Sequence, residues 1–462
     1  MLRKWQIEAV NLSLHKYENG QQDILLLATP GAGKSIAAAE IAYRLKQTHE
    51  IDFILCFSPS LIVAEGMRST FSYRFNASFH GTIGAVGGSY TYQNMLYLSD
   101  DFWQILENHN VLVVFDEIHH CSGSDVSESN AWGEKILTKI QSKAKYTLAL
   151  TGTPWRSDFT PITLAKYTDP DNQIYCDYIY GLGEAVRDKV CRNPHLVLVD
   201  NNTFQVTKSE EGKQTFGSVS ELLKHSSVNY ESVITHPETM NYLLKLSCHK
   251  LAEVRKDNPE AAGLVVASSV SHAIELLNIL KTKFKQTATI VTYRHDNPLN
   301  EIANFRSSDT QWIVSVGMIS EGTDIPRLQV CCHLSTVKTE LYFRQVLGRI
   351  LRVTQSKNQE AWLFTIAESK LTEFAERIDE DIPDYSVIER YIERAQKTNL
   401  LPTMVFENLA DASELTQRPL SERLETMFDD LPLNSNANSF FSNIALQGDF
   451  KQRVISVFSY MI

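Results

Sequence analysis

The stretch ATPGAGKS, residues 28–35, decides the fold. Apolar residues 24–27 precede it and read as a buried strand. Residues 36–46, rich in Ala and with Glu40 and Leu45, follow it and read as a helix. Strand, small-residue turn and helix in that order make an anion cradle. Gly31 and Gly33 carry no side chain, so the backbone can wrap a phosphate. The free N–H groups and the dipole at the helix start attract negative charge. Lys34 is placed to reach the β- and γ-phosphates of a nucleotide, and Ser35 to bind its Mg²⁺. The pattern G-x-x-x-x-G-K-[ST] is met except at its first position, where Ala28 stands.

Working outward, residues 111–115 form an apolar strand that runs directly into Asp116, Glu117, Ile118, His119 and His120. Carboxylates at the carboxyl end of a buried strand lie where open parallel sheets bind ligands. Successive residues alternate in direction, so the pair can divide the work. Asp116 is expected to hold Mg²⁺ through water, and Glu117 to orient or deprotonate the attacking water. The two histidines raise the question of a metal site, but no second ligand cluster at metal spacing accompanies them. Upstream, LRKWQIEA (residues 2–9) has helical apolar spacing with Gln6 on the opposite flank, and a Gln amide can donate and accept across an adenine edge. Residues 52–57 read as a second strand ending in Ser58-Pro59-Ser60. Residues 81–88, with four glycines, read as a loop leading into TYQ. Residues 147–150 read as a strand followed by TGTPWR.

The 462 residues suffice for two to four domains, and 43% hydrophobic with 21% charged residues fits a globular enzyme. No apolar run approaches the roughly 18 residues of a membrane helix, and the first residues lack the apolar core of a secretion signal. Seven cysteines without C-x-x-C spacing point to a reducing compartment and away from structural zinc or a disulfide framework, so the expected location is cytoplasmic. The net charge of −11 does not advertise nucleic-acid binding, yet phosphate contacts depend on placed Lys and Arg rather than on the sum.

From 167 to 260 the pattern is less periodic: turn-rich patches, a polar run at 207–215, a strand at 196–199 and a helix at 240–254 read as connector and elaboration. Alternation resumes with strands at 264–267, 288–292, 312–316, 329–333 and 361–365 and a helix at 272–284, the signature of a second doubly wound α/β unit. GMISEGTDIP (317–326) and QVLGRILR (345–352) follow. On a helix Gln345, Arg349 and Arg352 fall at i, i+4 and i+7, one stripe, and two fixed guanidiniums suit a phosphate that gains charge in a transition state. After residue 401 come an acidic Pro-interrupted stretch (425–432), an Asn/Ser-rich one (434–443) and an apolar run (454–462) that either caps the second lobe, the favoured reading, or docks a partner.

This ordered set resembles the superfamily-two helicases and translocases, of the DEAD/DEAH type allied to type I and type III restriction enzyme motor subunits. LRKWQ resembles the adenine motif, with Lys4 where proline is frequent, and ATPGAGKS resembles motif I. FSPSLIV resembles motif Ia, TYQ the Ib region, and DEIHH motif II with isoleucine for alanine. TGTP resembles motif III, LVVASSVSHA motif IV, SEGTDIP motif V with Thr323 for phenylalanine, and QVLGRILR motif VI. YGLGEAVRDKV (180–190) is similar to the segment that precedes the second lobe. The resemblance implies an α/β fold of two RecA-like doubly wound parallel-sheet lobes, a P-loop NTPase with a small C-terminal extension. The boundaries it implies are 1–166, 167–260 as connector, 261–400 and 401–462. It implies ATP and Mg²⁺. Gln6 reads adenine, and Thr29, Gly31, Ala32, Gly33, Lys34 and Ser35 hold the phosphates. Ser35 and Asp116 hold the metal, and Glu117 handles water. Gly322, Asp324 and Gln345 approach the nucleotide from the second lobe, and Arg349 and Arg352 act as arginine fingers. Thr151 and Thr153 relay nucleotide state to a nucleic-acid track that includes Ser58, Pro59, Thr91 and Ser268. The implied partner is nucleic acid, DNA rather than RNA, with a nuclease or defence-system subunit as a second partner and no membrane.

Overall fold

The computed structural model describes residues 2–127, 129–153, 160–168, 174–208, 212–292, 298–317, 323, 325–379, 443–446 and 449–457. These fall into two compact units, 2–185 and 186–457.

The first unit opens with helix α1 (Lys4–Glu18) and strand β1 (Asp23–Ala28), then α2 (Lys34–Gln47), β2 (Phe53–Ser58) and α3 (Leu61–Phe75). Strand β3 (Gly87–Thr91), α4 (Tyr92–Tyr97), β4 (Val111–Asp116), β5 (Tyr146–Thr151) and β6 (Tyr178–Tyr180) follow. The strands form one all-parallel sheet in the order β3-β2-β4-β5-β1-β6. Every residue of β4 and β5 is buried, as expected of strands covered on both faces. One face carries Leu25, Phe57, Val113, Phe115 and Ala149 into a core closed by Tyr92, Trp103 and Trp132. In α2 the buried Ala37, Ala38, Ala39 and Ala42 keep the helix close to its neighbours.

Residues 81–88, expected as a loop, end inside the sheet. Gly87 and Gly88 begin β3 because a Cβ at Gly87 would stand 2.1 Å from the Ile54 carbonyl oxygen. Low strand propensity concealed a position that close backbone approach reserves for glycine.

The second unit contains β7 (Asn193–Asn201), β8 (Phe204–Lys208), β9 (Gly212–Phe216), helix α5 (Pro237–Asp257), β10 (Ala262–Ala267), β11 (Ala288–Val291), β12 (Trp312–Ser315) and β13 (Leu328–Leu334). It continues with α6 (Glu340–Ile350), β14 (Glu360–Ile366), α7 (Ser369–Asp379), β15 (Asn443–Leu446) and β16 (Phe450–Ser456). Its main sheet runs β11-β12-β10-β13-β14-β7-β16, parallel except for β16, which lies antiparallel on β7. Strands β9-β8-β15 make a small antiparallel sheet. The stretch read as a connector thus supplies β6 to the first sheet and β7 to the second. Two doubly wound parallel sheets flanked by helices are two RecA-like lobes.

Strand β16 closes the β7 edge of the second sheet. Ile455 and Val457 are buried, Phe450 stacks on Tyr242 at 4.1 Å, and Arg453 pairs with Glu376 at 2.7 Å. Lys451, Gln452 and Arg453 face outward, which blunts further strand addition. A chain ended at residue 442 loses these contacts, each apolar side chain worth about 1.5–3 kcal/mol. Its second unit should melt on the order of 10 °C lower by calorimetry and aggregate through the uncovered β7 edge; an unchanged melting profile would remove the closing role from β16.

Candidate active site

Parallel register brings three motifs to one edge of the first sheet. Leu27 pairs with Thr151, and Leu150 with Asp116, so the ends of β1, β5 and β4 lie side by side. The turn after β1 reaches α2 through Gly31 and Gly33, with φ of 85° and 94°, a region that disfavours side chains. Thr29 donates its N–H to the Tyr180 carbonyl and accepts one from Ala32, both through the backbone. Ala32 is fully buried, and Ser35 lies half-buried in the first turn of α2.

Gln6 is 2% exposed, not on a solvated flank. Its Oε1 accepts from Arg3 N at 2.8 Å and its Nε2 donates to the Gly33 carbonyl at 3.0 Å, while Arg3 Nη1 donates to the Ala32 carbonyl at 2.7 Å. The start of α1 therefore grips the phosphate loop by two consecutive carbonyls. Sequence reading missed Arg3; its signal is the i, i+3 spacing to Gln6.

Lys34 Nζ lies 3.2 Å from Glu117 Oε1 and donates to the Ala28 carbonyl at 3.2 Å. Glu117 has left-handed backbone angles, φ 51° and ψ 53°. Its Oε2 accepts from Gly152 N at 3.2 Å and lies 3.4 Å from His119 Nδ1. Burial pushes the Glu117 carboxyl up, but Lys34, His119 and the Gly152 N–H outweigh it and hold the group down at about 2, so it is ionised at neutral pH. Asp116 is 6% exposed; its Oδ1 accepts from Glu117 N, and its carbonyl accepts from the Tyr92 hydroxyl at 2.8 Å. Among the described residues no group of three or more His, Cys, Asp or Glu could hold a metal. A hydroxyl from Ser35 and a carboxylate from Asp116 are hard oxygen donors that suit Mg²⁺ shared with phosphates and water.

His119, set aside in the sequence as a doubtful metal ligand, joins motif II to the strand end of β5. Its Nδ1 sits 3.0 Å from Thr151 Oγ1 and 3.4 Å from Thr153 Oγ1, and Thr151 Oγ1 also accepts from Thr153 N at 3.0 Å. Thr151 and Thr153 are buried and lie one hydrogen bond from the group that touches Glu117.

The second unit departs from expectation. Helix α6 ends at Ile350, so Gln345 and Arg349 lie on it and Arg352 lies beyond, its backbone bridged antiparallel to Cys191. The single helical stripe does not form. Gln345 is buried. Arg349 Nη1 donates to the Thr323 carbonyl at 2.8 Å, which joins motif VI to motif V. Burial, with the nearby Arg306 charge, lowers the Arg352 guanidinium to about 10. Gly322 and Asp324 lie outside the described residues.

The nucleic-acid track needs correction. Ser58, Pro59, Thr91 and Ser268 are all buried. Thr91 caps α4 through Asn94 N at 3.0 Å, and Ser268 Oγ bonds His272 Nδ1 at 2.8 Å. Residues at strand ends face the ligand edge only when the following turn exposes them; here the Thr91 hydroxyl serves a helix start instead.

Residues 1–156 match the family model "Type III restriction enzyme, res subunit", and residues 240–354 match "Helicase conserved C-terminal domain". An uncharacterised protein of Mycobacterium leprae is 28% identical over 392 residues, which cover 82% of this chain and 64% of that protein. The Type I restriction enzyme EcoAI endonuclease subunit of Escherichia coli is 22% identical, covering 83% of this chain and 48% of the subunit. The DNA 3'-5' translocase XPB2 of Sulfurisphaera tokodaii is 22% identical, covering 79% and 81%. The chain spans less than two thirds of the length of the first two. A solved fragment described as an HsdR subunit of a type I restriction enzyme from Vibrio vulnificus superposes with TM-score 0.56 at 17% identity, over 82% of this chain and 67% of that one.

A Cβ at Gly33 would meet Gln6 Nε2 at 2.9 Å in a backbone region costly for any L side chain. Gly33→Ala should therefore weaken nucleotide binding about tenfold or more while the melting temperature moves only a few degrees, on the order of 1–2 kcal/mol. Fluorescent-nucleotide titration beside a thermal melt checks both; unaltered affinity would mean that the cradle tolerates the shift.

Proposed function

Because the chain is a superfamily-two helicase homologue related to the motor subunits of restriction enzymes, we propose that it is an ATP-dependent helicase or translocase that moves on nucleic acid, DNA in preference to RNA. The observation that carries this reading is the convergence of Lys34, Glu117 and Gly152 from three separate motifs within 3.2 Å contacts. Lys34 and the N–H groups after Gly31 take the β- and γ-phosphates. Ser35 and Asp116 hold Mg²⁺, which shields phosphate charge. Glu117, ionised and freed when Lys34 turns to phosphate, takes a proton from the attacking water. Gln6 keeps the loop rigid and borders the adenine, and Gly322, Asp324 and Gln345 complete the nucleotide's surroundings. Arg349 and Arg352 supply the charge that the transition state needs, which makes nucleotide state and lobe arrangement interdependent. Preference for DNA is supported by the relative named a DNA 3'-5' translocase.

A second reading places the same motor in a restriction or antiphage assembly with a separate nuclease or effector subunit. It is supported by the EcoAI endonuclease subunit and by the family model of the first unit.

Two measurements test the proposal. ATPase activity should rise about tenfold or more with DNA, and the rise should fade between about 50 and 200 mM salt as phosphate contacts are screened. An ATPase indifferent to every DNA and RNA form would overturn the motor reading. Arg352→Ala should keep nucleotide affinity within about threefold while turnover drops about 10³-fold or more. Lys34→Ala should lose both binding and turnover. Full turnover in Arg352→Ala would strip that residue of its role.

A further inference from the structure

Arg192 is fully buried and belongs to no motif. Its guanidinium donates to the carbonyl of Leu328 at 2.6 Å, to the carbonyl of Ile350 at 3.2 Å and to Thr354 Oγ1 at 3.3 Å. Its backbone N–H donates to the Leu351 carbonyl at 2.7 Å, and the preceding Cys191 is bridged to Arg352. Among the described residues no carboxylate neutralises it; burial lowers it to about 9, with no charged neighbour contributing. Its Nε–H has no hydrogen-bond partner among the described residues; a buried cation met only by neutral oxygens at its two terminal nitrogens is costly, and two features offset that cost here. Ile350 is the last residue of α6, where the helix dipole is negative and carbonyls lack intrahelical partners. Leu328 opens β13, so one planar group ties the end of the helix to the sheet.

Immediately around that clamp stand Arg349, in the last turn of α6, and Arg352, two residues after it. We propose that Arg192 is a positioning residue for phosphoryl transfer, fixing the end of α6 so that Arg349 and Arg352 are held where a transferring phosphate needs them. The inference rests on the ATPase reading above. Lysine at this position keeps the charge but presents one nitrogen, which cannot span a helix end, a strand start and Thr354 in one plane.

The test uses the full chain with Arg192→Lys. Turnover should fall about 10- to 100-fold with KM for ATP within about threefold. Affinity for ADP alone should be unchanged, because ADP lacks the γ-phosphate on which the two arginines are proposed to act. Affinity for ADP with aluminium fluoride, which mimics the charged transition state, should weaken by a factor similar to turnover. Turnover and analogue affinity within about twofold of the parent in a folded Arg192→Lys chain, or equal weakening of ADP and analogue, would overturn the proposal. Should circular dichroism show Arg192→Lys unfolded, Thr354→Val, which removes one acceptor and leaves the cation, carries the same test: a smaller loss confined to the analogue supports it, and no loss overturns it. A parent chain without ATPase on any nucleic acid refutes the enzymatic reading instead, which keeps the two failures apart.

Discussion

Lys34 and Glu117 hold one another at 3.2 Å at the edge of the first sheet, and much of that unit is arranged to make the contact possible. The lysine opens α2 and the glutamate follows β4, with β5 between their strands. Only an all-parallel sheet with matched strand ends delivers both to one edge. The pair sits where water is scarce, so neither charge is cheaply left alone. Glu117 therefore has two further anchors, the Gly152 N–H and His119, which act with the lysine to hold the carboxyl ionised against the cost of burial.

The lysine can serve this pair only if the loop before it is stiff. Stiffness comes from α1, where Arg3 and Gln6 spend buried polar groups on the Ala32 and Gly33 carbonyls. Trp5 stacks against Tyr180 at 5.0 Å, and Tyr180 in turn accepts the N–H of Thr29. The cradle is thus braced from both sides by residues remote in sequence, 3–6 and 180. Satisfying these carbonyls inside the protein also keeps unpaired acceptors away from an incoming anion, which would repel it.

Strands and helices with continuous apolar runs or helical spacing were legible: β1, β4, β5, β10, β13 and β14 lie within a residue or two of their expected limits. So was the placement of Lys34 and Glu117 at one edge of the first sheet, because strand–turn–helix spacing and a strand-end acid pair encode it locally. What escaped depends on partners far along the chain. Strand β8 is polar and gains strand character from pairing with β9 and with β15, more than 230 residues downstream. Gln6 looked solvated because its polarity suited either side of α1, and only the neighbouring loop decides which. The buried strand-end hydroxyl of Thr91 shows the opposite error, a polar residue assigned to a ligand surface when a helix start consumed it.

The arginines show why motif recognition ends where it does. QVLGRILR promises a continuous helical stripe: it has no proline, and its one glycine, Gly348, lies inside the helix rather than just past Ile350, where a terminating glycine would sit. The stop is imposed from outside. The Arg192 side chain occupies the Ile350 carbonyl, its N–H occupies the Leu351 carbonyl, and the Cys191 backbone draws Arg352 into an extended bridge. Helix continuation would add one internal hydrogen bond per residue. The competing contacts satisfy the same carbonyls and also bury a guanidinium against them, so they prevail once residues 191 and 192 are in place. The identity of Arg352 is written in its own motif, whereas its placement in this unit is written some 160 residues earlier, in a segment whose sequence carries no chemical signal of its own.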